Sequence, residues 1–218
     1  SDVCSSDLFV EDFPILMANS GTTLAEGFLG LGLGIALAFV TAVLMDRYRF
    51  LYKSLYPILV ITQTIPTVAI APLLVLWMGY DMAPKIALVV IVCFFPMAVG
   101  LLDGFRSADQ DTVNLLRSMG ASKGQIFRMV KLPSSLGRFF SSLRVSVSYS
   151  IVGAVIAEWL GGNSGLGVYM TRVRKSYAFD KMFAVIVLIS LISLLLMWLV
   201  SMIQRLCMPY EKYGGNQS

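Results

Sequence analysis

Few polar side chains of this chain stand where they could do chemistry, and those that do lie inside or beside apolar runs. Thr62, Gln63 and Thr64 are the most polar spot of one such run, just ahead of Pro66. Proline has no N–H to donate, so a backbone carbonyl is left free near it. At membrane depth that is tolerated where the backbone lines a cavity or is buried in protein. These four residues are candidates for contact with a passing solute, a kinked helix packed on its neighbour being the alternative. Glu158 is an acid at the end of another run with no evident local partner. It could face an outer vestibule, pair with a cation of the Arg172, Arg174, Lys175 cluster, or anchor the 161–167 turn, and anchoring is the expected role. Ser146, Ser148 and Ser150 suit close approach of two helices, with solute contact as the other reading.

The groups most used for acid–base and metal chemistry are missing. There is no histidine, and the three cysteines (Cys4, Cys93 and Cys207) are far apart with no CxxC spacing. A zinc site or disulfide framework is therefore not expected. No paired carboxylates fall within an apolar run, so an intramembrane enzyme lacks its parts, and no cofactor or metal is expected. The phosphate-cradling pattern G-x-x-x-x-G-K-[ST] does not occur. ATP, if it drives this protein, must act through another subunit.

The elements that position these residues follow from composition. The chain is 57% hydrophobic and 14% charged, whereas a soluble domain carries about 45–50% apolar and about 25% charged residues. The excess apolar surface needs a bilayer, whose core takes about 20 apolar residues per helix. Residues 27–45, 55–78, 86–102, 143–160 and 182–202 qualify as spans. The second holds Pro57, Pro66 and Pro72, the third holds Pro96, and the last holds neither charge nor proline. The expected fold is an all-α polytopic bundle, a single membrane domain over 9–218. Ser1 to Leu8 is polar and unlike the rest of the chain. Cys4-Ser5-Ser6-Asp7-Leu8 resembles a translated sequencing adaptor, so residues 1–8 are read as an artefact and left out of the fold.

Lysine and arginine set the orientation. Arg47, Arg49 and Lys53 lie in one connection, Arg106, Arg117, Lys123, Arg128, Lys131, Arg138 and Arg144 in another, and Arg205 and Lys212 in the tail. Alternation puts these on one side, which should be cytoplasmic together with the C-terminus. Glu11, Asp12 and Glu26, with Lys85, fall on the other. Arg172, Arg174, Lys175 and Lys181 also fall there, the first three as a solvated outer loop against the rule.

The 103–142 connection is long and polar. Ser107 with Gln110, and Ser122 with Gln125, have capping-box spacing. Gly120 is placed to end the first helix in a left-handed conformation, and Pro133 to stop the second. Val113, Leu116 and Met119 form one apolar stripe, Ile126, Phe127 and Val130 another. The stripes either pack on this chain or fill a groove in a partner. Tethering to spans at both ends argues against binding nucleic acid.

Gly120-Ala121-Ser122 followed by Val130-Lys131-Leu132-Pro133 resembles the cytoplasmic EAA loop of permeases in binding-protein-dependent ABC importers. That motif runs E-A-A, three residues, Gly, nine residues, Ile-x-Leu-Pro. Here Val130 holds the isoleucine place, and Asn114-Leu115-Leu116 stand at E-A-A, which removes the carboxylate but keeps the spacing. Gln63-Thr64-Ile65-Pro66, Leu76-Trp77-Met78-Gly79 and Glu158-Trp159-Leu160-Gly161 look like permeases of the nitrate, sulfonate and taurine type. Within that group the likeness is to permeases for thiamine precursors and riboflavin. The resemblance implies the type I importer permease fold, with five spans visible of six. It also implies a multi-pass place in the plasma or inner membrane, a second permease subunit (a homodimer is expected) and two copies of an ATPase subunit. A substrate-binding protein would act outside. The ATPase would meet Asn114, Leu115, Leu116, Gly120, Ala121, Ser122, Gln125, Val130, Leu132 and Pro133, with the coupling helix around Gly120 to Gln125. The rival readings are an ion-coupled secondary transporter, which would want an ionisable group deep in a span and often an internal repeat, and a membrane scaffold docking a cytoplasmic partner.

Overall fold

A computed structural model describes residues 13–208, and every regular element among them is helical. The expectations for residues 1–8, for Glu11 and Asp12 and for Lys212 lie outside the described residues. Helix α1 covers Phe13–Arg47, α2 Arg49–Thr62, α3 Thr67–Met78, α4 Met82–Arg106, α5 Gln110–Ser118 and α6 Lys123–Ile126. A π-helical turn over Phe127–Lys131 leads into α7, Leu132–Leu160, followed by α8, Leu166–Lys175, and α9, Phe179–Cys207. Among the described residues four helical segments are long and apolar enough to cross a membrane, five if α2 and α3 count as one.

Three boundaries differ from expectation for physical reasons. Helix α1 begins well before residue 27, because Ser20, Thr23 and Glu26 are buried against neighbours and their polarity does not end the helix. The 55–78 segment is not one continuous helix: α2 and α3 meet at a break of 99°. Pro66 supplies no N–H there and disfavours helical geometry in the residue before it. Pro133 does not stop a helix. It sits in the first turn of α7, where a missing N–H is tolerated, and α6 continues through the π-turn into α7.

Helix α4 is the centre of the bundle, packed against α7 on one side and α1 on the other. Leu31, Val89, Cys93, Val147, Ile151 and Ala154 interlock these three. Lipid is as apolar as leucine, so association inside a bilayer depends on close packing rather than on a drive to escape water. Small residues provide it. A Cβ on Gly104 would stand 2.7 Å from Ser135 Cβ, so α4 and α7 approach there only because the side chain is hydrogen. Ser146 is buried in the same contact, its Oγ donating to the Cys93 carbonyl at 3.4 Å, and Ser150 is buried where α7 passes Gly27 of α1. The outward faces are apolar: Leu191, Leu194, Leu195 and Trp198 of α9 are exposed.

Candidate functional site

The 103–142 connection lies at one end of the bundle, here called the loop end, and is tied to the 46–54 connection. Lys131 Nζ donates to both oxygens of Asp46 at 2.7 Å, and the Arg106 guanidinium lies 3.7 Å over the Tyr52 ring. A cavity of about 530 Å³ runs between them, lined by Asp46, Arg47, Val113, Arg117, Lys123 and Lys131 among others.

Asp109, rather than Ser107, caps α5. Its carboxylate accepts from the amides of Asp111 and Thr112 at 3.2 and 3.1 Å and from the Thr112 hydroxyl at 2.6 Å. The Thr112 hydroxyl first, then the two amides, hold Asp109 below the usual aspartate range. Ser107 instead donates to the Gly104 carbonyl at the end of α4. The reason is local: the chain is still closing α4 at Ser107, whose own N–H bonds Asp103.

Helix α5 ends in a Schellman motif. Ala121 N–H reaches the Leu116 carbonyl and Gly120 N–H the Arg117 carbonyl, both at 3.0 Å, with Gly120 at φ +83°. Ser122 and Gln125 then form a reciprocal capping box: Ser122 N–H donates to Gln125 Oε1 at 2.7 Å and Gln125 N–H to Ser122 Oγ at 3.3 Å. The two apolar stripes divide. Val113 and Ile126 are buried, and Phe127 stacks edge-on against Phe105 with centroids 5.1 Å apart. Leu116, Val130 and Leu132 are half-buried, while Asn114 and Pro133 are exposed. Leu115 and Met119 are 62% and 73% exposed, apolar side chains turned away from the bundle.

The break between α2 and α3 borders a second cavity of about 250 Å³, between these helices and the middle of α4 and α7. Thr62 and Gln63 line it with Ile91, Val92, Tyr149 and Gly153, whereas Thr64 and Pro66 are not among its lining residues. The Thr62 and Thr64 hydroxyls turn back to the Leu59 and Ile61 carbonyls at 2.7 and 2.8 Å. Pro66 caps α3, its carbonyl accepting from Ala69 and Ile70.

Glu158 lies on the other side of α7, at the end of the bundle away from the loop. Its Oε2 accepts from Gly167 N–H at 2.6 Å and its Oε1 from the Thr23 hydroxyl at 2.7 Å. Thr23 Oγ1 accepts Leu166 N–H at 2.9 Å, and Asn19 Oδ1 accepts Gly165 N–H at 2.8 Å. The 161–167 turn is thus held by three consecutive amides. A Cβ at Gly165 or Gly167 would run into the Glu158 side chain. Beside it Lys85 and Glu26 form a buried ion pair at 2.6 Å. Sequence gives these two residues no site role and places them as outer loop charges. A signal exists all the same: each immediately borders an expected span, on the same side and with opposite charge. The Arg172, Arg174, Lys175 cluster is not loop but the last turn of α8, where cations complement the helix dipole.

A polytopic bundle with a mid-bundle cavity and a rigid helix–turn–helix at one end has the architecture of a membrane permease. Residues 30–207 match the family described as binding-protein-dependent transport system inner membrane component, and the chain belongs to it. It is 36% identical over 190 residues to the formylaminopyrimidine transport permease protein ThiX of Halalkalibacterium halodurans, covering 87% of this chain and 76% of that protein. A probable ABC transporter permease protein of Haemophilus influenzae is 40% identical over 182 residues, covering 84% and 74%. Among solved structures, a chain from inward-facing MetNI methionine ABC transporter superposes with a TM-score of 0.75 over 88% of this chain and 96% of that one. At 20% identity it speaks to the fold alone. The protein is a multi-pass inner-membrane permease of an ABC importer, with the type I permease fold, and not a member of an enzyme family. The ion-coupled carrier and the scaffold give way to this reading.

Proposed function

We propose that this permease works as a homodimer over two separate ATPase subunits, with the coupling contact made by the exposed side of α5 and α6. The observation that carries this reading is the pairing of a rigid double-capped turn with outward apolar side chains, Leu115 and Met119. Asn114, Ala121, Ser122 and Gln125 share that end of the bundle. Val130, Leu132 and Pro133 join it rigidly to α7, so that a push on the turn moves a span. The clustering of Arg47, Arg106, Arg117, Lys123 and Lys131 at the loop end supports a cytoplasmic location for it, and for the C-terminus. A substrate-binding protein then delivers solute at the opposite end, and ATP binding biases the permease between two states with unequal affinity for it. The cavity beside Thr62 and Gln63 is the proposed pathway element. Likeness to the formylaminopyrimidine permease supports a small pyrimidine as the solute.

The test is a mild-detergent pull-down of the full-length tagged permease from source membranes. A Walker-motif ATPase should copurify with wild type and be lost with Leu115→Asp or Met119→Asp, which touch no buried contact. Retention by both variants would place the contact elsewhere. Uptake of labelled formylaminopyrimidine into vesicles, with taurine as the control, tests the solute.

A further inference from the structure

The network at the end away from the loop has one more carboxylate than it has cations. Glu26 of α1 and Glu158 of α7 are 0% and 2% exposed, and Lys85 of α4 sits among them. Lys85 Nζ donates to Glu26 Oε1. Glu158 has a donor on each oxygen, Thr23 and Gly167. Glu26 Oε2 is buried with no donor, and Glu26 stands one helical turn along α1 from Thr23, the residue whose hydroxyl is bonded to Glu158. Lys85 is the one cation acting on either carboxyl group among the described residues. What else faces the pair among the described residues is uncharged: Thr23 and, through the turn it holds, Asn19 from α1, and Gly165 and Gly167. Of the α8 cations, Arg172 donates to the Asn163 carbonyl at the surface, and Arg174 and Lys175 are exposed.

Two ionised carboxylates cannot hydrogen-bond to each other, and an uncompensated buried charge is costly. One proton removes both difficulties. Placed on Glu26 Oε2, it supplies an O–H that donates to the Glu158 carboxylate and leaves the three-residue cluster neutral. We propose that Glu26, Glu158 and Lys85 form a proton-binding site that holds one proton between the two carboxyl groups at neutral pH. This proton completes the anchorage of the 161–167 turn, joining α1, α4 and α7 at the mouth of the bundle. Without it two negative charges face each other next to the Gly167 amide and the turn is unseated. The site does not depend on which solute is carried or where the ATPase docks.

Infrared spectroscopy of the full-length permease in detergent reads the proton directly. A protonated carboxyl gives a C=O stretch apart from that of carboxylates, and it moves on deuteration. Wild type at neutral pH should show such a band, and Glu26→Gln and Glu158→Gln should each abolish it. The glutamine amide then donates in place of the shared proton, and the remaining carboxylate ionises. Lys85→Met should enlarge the band, since a second proton must replace the lost cation. Unfolding cannot imitate that gain, because solvated carboxyls are ionised at neutral pH. Absence of the band from wild type, or its persistence in both glutamine variants, overturns the proposal.

Discussion

A single methyl group at Gly120 should loosen the turn between α5 and α6 without touching anything else. Gly120 has φ +83°, and no heavy atom lies within 4 Å of where its Cβ would stand. The penalty for alanine is therefore backbone strain alone, about 1–2 kcal/mol for a left-handed residue bearing a Cβ. That raises the population of opened turn by about 5- to 30-fold. Hydrogen exchange of the full-length protein in detergent reads this at two amides, those of Gly120 and Ala121, which close the Schellman motif on Arg117 and Leu116. Both should exchange faster in Gly120→Ala by about that factor, while amides in the middle of α4 stay unchanged. Gly120→Asn should fall between wild type and alanine, because asparagine enters the left-handed region more readily. Wild-type rates at the two amides in the alanine variant, or exchange in the asparagine variant as fast as in alanine, would refute backbone strain at Gly120 as the cause. Retention of the ATPase should follow the same order, wild type above asparagine above alanine.

Three further outcomes are expected from the packing and the hydrogen bonds. Gly100→Ala places a Cβ 2.7 Å from Ser142 Cβ. It should destabilise the permease by about 1–3 kcal/mol, and Ser142→Gly should restore most of it, since the next contact is the Arg138 carbonyl at 3.6 Å. Thermal melts of the two single variants and the double variant give the coupling. Thr23→Val strips Glu158 Oε1 of a donor and Leu166 N–H of its acceptor, so about 1–3 kcal/mol should be lost in a melt, whereas Thr23→Ser keeps the hydroxyl and most of the stability. Asp109→Ala should fray the first turn of α5, read as faster exchange at Asp111 and Thr112. Wild type should reproduce that fraying only in acid. Asp109 is held below its ordinary range by Thr112, so its capping is complete above the unfolded aspartate value and is lost as pH falls through the lowered one.

Local rules read the loop well where they involve a few adjacent residues. The Ser122–Gln125 box and the left-handed Gly120 are both present because each is decided within one turn of chain. The same rule fails at Ser107–Gln110, since Ser107 is committed to closing α4, and Asp109 offers a stronger acceptor one residue from the helix start. Pro133 reads as a stop because proline lacks an N–H, but a first-turn position and a preceding π-turn remove the need for one. The divided stripes are not legible at all. Val113 and Met119 carry similar hydrophobicity, and only the place of the first beside Val43 and Leu44 of α1 and Ile126 of α6 buries it and leaves the second outside.

Composition and the spacing of apolar runs by themselves determined that this chain crosses a bilayer repeatedly. Charge placement sorted its connections into two groups, and the Gly120 to Pro133 spacing marked the family. These are properties of residue type summed along the chain, and a low-dielectric solvent acts on them without regard to partners. Tertiary structure alone decided the rest. It broke 55–78 into two helices beside a cavity, and it drew Glu26, Lys85 and Glu158 from three helices into one buried cluster. Lys85 and Glu26 are 59 residues apart, so neither can be read as the other's partner until packing brings α1 against α4. A charge at the border of a span is inexpensive in water and costly once buried. Which of the two it becomes depends on neighbours that only the folded bundle supplies.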